Sequence, residues 1–296
     1  MGLLSTLRFI WQHPLASRRR PQAIERYVRW QLGSRLSPGP VVIDFVNDAR
    51  LIVRPGMTGA TGNVYVGLHE LDDMAFVLHA LRPTDVFVDV GANVGSYTVL
   101  ASKGVGARCV SFEPVPAAFA TLRDNVLLNG VADRVELLAK AVGAEDGKVS
   151  ITVGYDTGNR VATPQDDARN TLTVDLVALD SIPAAREACI LKIDVEGFER
   201  AVLAGARKVL DNPNLLGFVM ETNRSASALG ESNTAAHDFA LELGFEPHRY
   251  SPFDRSLVSL GRGYKPDANT LYLRDVAKLR ERVQSGPAFS ALGVRV

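Results

Sequence analysis

The sequence VFVDVGANVG at residues 86–95 decides the fold. Its first five residues form a nearly continuous apolar run, which is typical of a strand covered on both faces of a parallel sheet. Glycines follow at positions 91 and 95, and a helical pattern begins at about Ser96. Such a turn presents the backbone N–H groups of a helix N-terminus to an anionic ligand. The stretch therefore predicts a buried strand, a ligand-binding turn and a helix.

Strands and helices alternate from residue 85 onward, which predicts an α/β fold with a doubly wound, mainly parallel sheet. In such sheets ligands bind beyond the carboxyl ends of the strands, near the point where the strand order reverses. Further strands are predicted at 109–112, 135–139, 149–153, 172–177, 190–195, 216–221 and 270–273, and helices at 116–128, 199–210 and 235–243.

The region before residue 84 predicts a helical and β-hairpin extension. Residues 1–35 are helical in pattern, a hairpin is predicted over 41–53, and a glycine-rich loop over 55–62. A helix over 70–81 is expected to cover the ligand pocket as a lid or simply to pack. We therefore divide the chain into an extension (1–83), a ligand-binding domain (84–275) and a C-terminal tail (276–296).

Composition excludes several classes of protein. The chain has 296 residues, of which 46% are hydrophobic, and 33 basic side chains balance 33 acidic ones. That core content argues against disorder, and the neutral total gives no indication of nucleic-acid binding. No apolar run approaches the roughly 20 residues of a transmembrane segment. Cys109 and Cys189 predict two buried thiols, so a reducing, cytoplasmic location is expected. The first amphipathic helix is expected to dock on the core rather than on a membrane.

The spacing of the glycine loop separates two cofactors. A dinucleotide fingerprint G-x-G-x-x-G laid from Gly91 places its later glycines on Asn93 and Ser96, where neither is glycine. A G-x-G-x-G spacing misses only its centre. This pattern suits S-adenosylmethionine, which has no pyrophosphate to approach. Asp89 is then expected to accept from the ammonium group, and the N–H groups of residues 91–95 to face the carboxylate.

Two later segments extend the expected cofactor site. Glu113 ends the next strand 22 residues beyond Gly91 (113 − 91), close to the roughly 20 residues expected for an acid that holds ribose hydroxyls. This acid alone does not separate S-adenosylmethionine from NAD, since both carry a ribose. Ala141 and Val142 follow another strand, and this segment either contacts the adenine or forms a simple loop.

Acidic side chains at two strand ends predict the chemistry. Asp194 and Glu196 lie two residues apart, which places them on one face of an extended chain, with Lys192 as a neighbour that pairs with one of them. One carboxylate could serve as a general base, and both could hold a divalent cation. Glu221 ends the next strand and is expected nearby.

Other polar residues predict acceptor contacts or packing. Asn159 and Arg160 fall in a polar insert after a strand, where they are expected to contact the acceptor. His237 lies in a helical pattern, and a lone helical histidine is expected to pack rather than to act as a base.

The motifs taken together resemble the FkbM-type methyltransferases. The resemblance rests on FVDVGANVGSYT at 87–98, FEP at 112–114, Asn125 to Asn129 and LKIDVEGFE at 191–199. It covers about residues 60–225 and implies a class I methyltransferase fold, S-adenosylmethionine as donor, and O-methylation of a sugar, glycan or polyketide hydroxyl. It also implies that Asp194 and Glu196 line the active site. The cofactor contacts that we expect from the matching motifs are Asp89, Gly91, Ala92, Asn93, Gly95, Tyr97, Thr98, Glu113, Pro114 and Asp194.

Alternatives stay open at this point. An NAD-dependent sugar-modifying oxidoreductase, a non-catalytic binding module on the same fold, and a methyltransferase acting on protein or nucleic acid all share the general pattern. The expected partner is a small-molecule or glycan acceptor. The sequence leaves the metal requirement and the oligomeric state open.

Overall fold

The N-terminal region is a layer of helices and one hairpin. The computed structural model describes residues 2–155, 158–222 and 224–296. The first elements are α1 (Leu3–Gln12), α2 (Pro14–Ser17), α3 (Arg20–Leu36), β1 (Val41–Asp44), β2 (Arg50–Val53), α4 (Thr58–Val66) and α5 (Leu71–Ala80). This order confirms the predicted helices and the predicted hairpin. The inner sides of these helices dock on one another through a small buried cluster that includes Ile10, Ala16 and Tyr27.

The loop predicted over residues 55–62 is wrong in its second half, because α4 begins at Thr58. Glycine disfavours helix interiors by about 1 kcal/mol, so the sequence alone favours a loop here. Packing reverses that preference. The ring of His69 lies so close to Gly62 that a Cβ there would be 2.5 Å from His69 Cγ. On α4, Tyr65 also packs edge-on against Tyr27 with ring centroids 5.2 Å apart.

The rest of the chain alternates strands and helices, as the sequence predicts. The elements are β3 (Val86–Val90), α6 (Ser96–Val99), β4 (Arg108–Phe112), α7 (Pro116–Leu128), β5 (Val135–Leu138), β6 (Ala141–Val142), β7 (Gly147–Thr152), β8 (Thr171–Val177), β9 (Ile190–Ile193), α8 (Glu199–Ala204), α9 (Arg207–Leu210), β10 (Gly217–Thr222), α10 (Ala235–Glu242), β11 (Glu246–Ser251), β12 (Ser256–Ser259), β13 (Ala268–Leu273), α11 (Val276–Ser285), β14 (Ser290–Ala291) and β15 (Val294–Arg295). A π-helical segment continues α6 to Val105.

Eight strands form the central sheet in the order β12-β11-β13-β10-β9-β3-β4-β5. The five strands from β10 to β5 are parallel, and β13 runs antiparallel between β10 and β11. The chain proceeds outward from β3 in one direction and later outward from β9 in the other. The strand order therefore reverses between β3 and β9, and this architecture confirms the predicted doubly wound, mainly parallel fold.

The central strands are covered on both faces. Along β3, Phe87 belongs to the core cluster that includes α5 and the hairpin residue Leu51, whereas Val88 and Val90 belong to a second cluster with α8 and α10. The alternation explains the continuous apolar run in the sequence. Cys109 and Cys189 are buried free thiols, as expected. Among the described helices, none combines the length and the apolar character that crossing a bilayer requires.

Two predicted elements differ in detail. The strands predicted at 149–153 and 172–177 form, but they belong to a separate three-stranded sheet in which β8 lies between β6 and β7. The helix predicted over 199–210 is broken at Gly205, where a Cβ would lie 2.1 Å from the carbonyl oxygen of Gly143. Residues 276–296 form α11 and a short hairpin, and Leu279 and Phe289 join the core cluster of the hairpin residue Leu51. The division into three segments drawn from the sequence stays a prediction.

Candidate active site

A large cavity lies at the carboxyl ends of β3 and β9, where the strand order reverses. Its volume is about 330 Å³. Its walls come from the turn after β3, the ends of β4, β9 and β10, the three-stranded sheet, and the start of α5. The position agrees with the rule that ligands bind at the switch point of an open α/β sheet.

The turn after β3 can only be built with glycine at its first position. Gly91 has φ +80°, and a Cβ there would lie 1.9 Å from the carbonyl oxygen of Asp194 on the neighbouring strand end. The N–H groups of Gly91 and Ala92 both donate to the carbonyl of Phe112, at 3.0 and 2.9 Å. Asn93 also adopts a left-handed conformation, with φ +50°. The turn is thus tied to both neighbouring strands before any ligand binds.

Glu113 ends β4 with its carboxylate at the cavity wall. One oxygen accepts from the N–H of Asn93 and the other from the N–H of Val115, both at 2.8 Å. Burial raises the pKa of this carboxyl to about 7, although the two N–H donors oppose the shift. Each carboxylate oxygen has two lone pairs, so each keeps one for a further donor. Two adjacent hydroxyls, such as those of a ribose, match that remaining capacity.

Asp89 lies deeper, beneath the same turn. Its side chain is buried and accepts a hydrogen bond of 2.6 Å from the hydroxyl of Thr98. Burial raises the pKa of Asp89 to about 6, and the bond from Thr98 and the charge of Lys192 oppose that rise. Asp89 still reaches the cavity wall.

Three carboxylates meet in the cavity wall where β9 and β10 end. Asp194, Glu196 and Glu221 each offer an oxygen, and these oxygens lie within 4.8 Å of one another. The sequence predicted this meeting from strand geometry, but β9 ends at Ile193. Instead a turn aims Glu196 inward, with φ +50° at Glu196 and +96° at Gly197. We call Asp194, Glu196 and Glu221 the carboxylate cluster.

Lys192 sets the electrostatics of this cluster. Its ammonium group is buried and lies 3.0 Å from a carboxylate oxygen of Asp194. Burial alone would lower the pKa of Lys192, but the charges of Asp194, Glu70 and Glu221 raise it, so the side chain stays charged.

The pKa values of Asp194 and Glu221 are shifted in opposite directions. Burial would raise the pKa of Asp194, but the charge and hydrogen bond of Lys192 and a hydrogen bond with Glu221 outweigh it, so its pKa is lowered. Burial and the negative charge of Asp194 raise the pKa of Glu221 to about 9. At neutral pH Asp194 is therefore ionised, and Glu221 is protonated and donates to it.

The start of α5 supplies a wall that the sequence indicated only as a lid. Glu70 accepts from the hydroxyl of Tyr97 and from the side-chain amide of Asn269, both at 2.8 Å. Glu70, His69 and Met74 line the cavity, whereas most of α5 is buried against the sheet. Sequence reasoning missed Glu70, His69 and Asn269 as site residues. The only available signal was the polar pair His69-Glu70 directly before a strongly apolar helix.

The polar insert reaches the cavity, and its contact with the acceptor stays a prediction. Asn159 and Arg160 line it, next to Val161, which bridges to Ile151 of the three-stranded sheet. The guanidinium of Arg160 is engaged by Asp166 through two bonds of 2.9 Å. Arg160 is therefore held in place by Asp166 of the same insert, and the carboxylate of Asp166 neutralises its charge.

The structure brings most of the predicted site residues together. The predicted residues at the cavity wall are Asp89, Gly91, Ala92, Asn93, Tyr97, Glu113, Pro114, Ala141, Val142, Asn159, Arg160, Asp194, Glu196 and Glu221. Two predicted contacts stand behind the wall. Gly95 packs so tightly on α7 that a Cβ would lie 2.5 Å from Leu122, and Thr98 holds Asp89 from behind. His237 is buried and bonds Tyr272 and the Arg262 carbonyl, as expected of a packing residue.

Comparisons with known proteins agree with this geometry. The family model described as the methyltransferase FkbM domain matches residues 89–247. The 31-O-demethyl-FK506 methyltransferase FkbM of Streptomyces tacrolimicus is 30% identical over 193 residues, which is 54% of this chain and 74% of that protein. The hexuronic acid methyltransferase AglP of Haloferax volcanii is 26% identical over 150 residues, which is 50% of this chain and 60% of that protein.

One solved structure is similar to this chain at a lower sequence identity than these two relatives. The TYW2 protein of P. horikoshii in complex with MeSAdo is 14% identical, and the match covers 80% of this chain and 70% of that chain with a TM-score of 0.41.

The fold, the glycine turn and the family match define an S-adenosylmethionine-dependent methyltransferase. The chain belongs to the FkbM methyltransferase domain family, because the family model spans more than half of it. This finding decides against the nicotinamide-dependent oxidoreductase that the sequence had left open.

The cavity also fits the donor on its own chemistry. Glu113 retains acceptor capacity for two hydroxyls, the turn at Gly91 leaves no room for a side chain, and buried carboxylates favour a cationic ligand.

Proposed function

We propose that this methyltransferase transfers the methyl group to a hydroxyl oxygen of a sugar, glycan or polyketide-like small molecule. The observation that supports the proposal most is the carboxylate cluster in the wall of the cavity. A hydroxyl is a weak acid, so its methylation at neutral pH benefits from a nearby group that accepts the proton. Two related proteins are named as a 31-O-demethyl-FK506 methyltransferase and a hexuronic acid methyltransferase.

The residues around the glycine turn would hold the donor. Glu113 would accept from the two ribose hydroxyls, and the N–H groups at the start of α6 would face the carboxylate of the methionine part. Asp89 would interact with the ammonium group. Ala141 and Val142, together with the neighbouring side chains of Ile151 and Phe198, offer an apolar wall for the adenine. When bound, S-adenosylmethionine supplies a methyl group that is already activated as a sulfonium.

The chain's own contribution is then positioning and proton acceptance. Asp194 is a poor base, because its lowered pKa reflects the strong interaction with Lys192. Glu221 is protonated at neutral pH and must lose its proton before it can act as a base. Glu196 is therefore the better candidate for the general base. Its left-handed backbone also fits a functional role, because such conformations in non-glycine residues are unfavourable and cluster at active sites.

Asp194 is best assigned to positioning. It accepts from Lys192 and from Glu221, so it fixes the protonated carboxyl of Glu221 beside Glu196. The proton of Glu221 thereby points to Asp194, and Glu196 is left to accept the proton of the acceptor hydroxyl. Asn159 and Arg160 at the cavity wall would contact other parts of the acceptor.

A divalent cation is a second way to activate the acceptor. Three carboxylates offer the oxygen ligands that Mg²⁺ and Ca²⁺ prefer. Lys192 already supplies a positive charge beside Asp194, which makes a metal-free site equally consistent with the charges. Turnover after treatment with EDTA, followed by addition of Mg²⁺ or Mn²⁺, separates the two. Full activity in EDTA would assign proton transfer to Glu196, whereas activity restored only by the cation would assign the cluster to metal binding.

The proposed function is tested with labelled S-adenosylmethionine and a panel of sugars, oligosaccharides and hydroxylated polyketides. With an acceptor that gives turnover, Glu196→Gln is expected to lower kcat by about 10²–10⁴-fold, the usual contribution of a general base. Affinity for S-adenosylhomocysteine should stay within a few-fold of the wild type. The exposed Glu145→Gln is the matched control. Unchanged turnover in both Glu196→Gln and Asp194→Asn would overturn the assignment of the cluster.

A further inference from the structure

The N-terminal helices have a composition unlike the rest of the chain, and one of their arginines, Arg26, points inward and donates to the carbonyl of Tyr65. The first 36 residues contain seven arginines, one glutamate and no lysine or aspartate, which is a net charge of +6. Because the whole chain is neutral, the remaining residues have a net charge of −6. A concentrated positive charge at one end of a neutral protein creates a field that attracts an anionic partner.

Apolar side chains project outward from the same helices. On α3, Val28, Leu32 and Leu36 are spaced by four residues and lie on one face, with 46%, 58% and 86% of their surfaces exposed. The opposite face of α3 is the one that packs inward, through Ala23 and Tyr27. The described part of the chain therefore leaves this apolar stripe open to solvent.

Arginines flank this stripe. At 100° per residue, Arg29 and Arg35 fall on either side of Leu32 around the helix. The outer side of α1 continues the pattern with exposed Leu4 and Trp11, and the guanidinium of Arg20 lies 4.7 Å from the centre of the Trp11 ring. That contact joins the outer side of α1 to the start of α3. We call Leu4, Trp11, Val28, Leu32, Leu36 and their flanking arginines the basic apolar face.

We propose that the basic apolar face binds the surface of an anionic lipid bilayer. Interfacial helices combine an apolar stripe with basic residues beside it, so that the stripe enters the acyl boundary while the arginines meet the head groups. A nucleic acid would use the arginines but not three exposed aliphatic side chains. A symmetric dimer through this face would bring two surfaces of like charge together. A lipid surface satisfies both the charge and the apolar stripe.

The placement of this face has a consequence for the enzyme. The inner side of α3 packs on α4, and Ala60 of α4 lines the cavity. A bilayer bound to α3 would therefore lie one helix layer from the catalytic cavity. The proposal concerns binding only and holds whichever acceptor the enzyme uses.

Sedimentation with vesicles tests the proposal on the full-length protein. We expect binding to vesicles with about a third phosphatidylglycerol to be at least tenfold stronger than to pure phosphatidylcholine, since each basic residue near the surface contributes roughly fivefold. Raising the salt concentration should weaken binding, because it screens the arginines.

Matched variants locate the contact. Leu32→Glu is expected to lower the partition coefficient by roughly tenfold or more, because a buried leucine contributes about that much and the new charge opposes the anionic surface. Arg29→Gln is expected to lower it by about fivefold. Leu127→Glu on α7, where the leucine is also well exposed, should bind like the wild type.

All variants should retain the affinity of the wild type for S-adenosylhomocysteine, which confirms their folding. Absence of binding to anionic vesicles, or equal binding by Leu32→Glu and the wild type, would overturn the proposal. A concentration-dependent dimer in analytical ultracentrifugation that Leu32→Glu dissolves would also overturn it, by assigning the face to a second copy.

Discussion

Replacing Glu113 with glutamine isolates the interaction that we assign to the ribose. In the structure each carboxylate oxygen accepts one backbone N–H at 2.8 Å and keeps capacity for one hydroxyl. Glutamine turns one oxygen into an amide NH₂, which faces the N–H of Asn93 or Val115 as a second donor. One ribose hydroxyl then loses its charged acceptor, and the remaining bond is no longer charge-assisted.

The expected loss follows from those bonds. A hydrogen bond to a charged group contributes about 1.5–3 kcal/mol, so Glu113→Gln should raise the Kd of S-adenosylhomocysteine by roughly 10–150-fold. Glu113 is almost fully buried, so solvent does not reduce this effect. Calorimetric titration should be made near pH 8, above the pKa of about 7, so that the wild-type carboxylate is ionised. The exposed Glu136→Gln on β5 is the control. A Kd within threefold of the wild type in a folded Glu113→Gln protein would refute the assignment.

Three further predictions follow from the same contacts. Affinity for S-adenosylhomocysteine should rise as pH increases through about 7, because burial raises the pKa of Glu113 to that value and the ionised form accepts both hydroxyls. Calorimetry across this range should show no pH dependence of the affinity in Glu113→Gln. A pH dependence as steep as that of the wild type would assign the titration to another group. Gly91→Ala should destabilise the protein by at least about 2 kcal/mol in urea unfolding and abolish cofactor binding, because the new Cβ would meet the Asp194 carbonyl. Gly39→Ala is the control, since Gly39 has open space around it, and its urea unfolding should be unchanged. Normal cofactor affinity in Gly91→Ala would contradict the geometry of the turn. Asp194→Asn should lower the free energy of unfolding by about 1–3 kcal/mol. This is less than the about 3–5 kcal/mol of a fully broken buried ion pair, because Glu221 can ionise and pair with Lys192. Glu221→Gln should therefore cost more in the Asp194→Asn background than in the wild type, and strict additivity in the double-mutant cycle would count against this coupling.

The parallel strands of the central sheet could be predicted because their burial is evident in their apolar sequences. A strand covered on both faces is almost entirely apolar, so residues 86–90 can be recognised as a buried strand from their own sequence. The glycine at position 91 and the acid at position 113 likewise identify the cofactor end of the cavity, because local backbone geometry and spacing set their roles.

The elements that the sequence missed depend on distant contacts. Helix α4 contains two glycines after Thr58, and only the packing against α3 and His69 selects a helix there. Strands β11 and β12 form a hairpin at the edge of the sheet and have a weak apolar pattern. Their strand character follows from pairing, of β11 with β13 and of β12 with β11. Strand period alone could not show them.

The acceptor end of the cavity was predicted only in part for the same reason. Asp194, Glu196 and Glu221 were recognised because they follow neighbouring strands. Glu70 and Asn269 meet through a hydrogen bond between residues 199 positions apart, which no local pattern reports. The turn at Glu196 could not be predicted from the sequence either. The prediction that Glu196 lies beside Asp194 rested on a strand over 190–195, whereas β9 ends two residues earlier, at Ile193.

The central claim is that a hydroxyl oxygen receives the methyl group beside the carboxylate cluster. The most direct measurement uses S-adenosylmethionine with a carbon-labelled methyl group and the acceptor that gives turnover, followed by NMR of the purified product. The account predicts that the label appears as a methyl ether, with formation slowed by Glu196→Gln and unaffected by Glu145→Gln. A label bound to nitrogen or carbon, formed at the same rate by both variants, would contradict it.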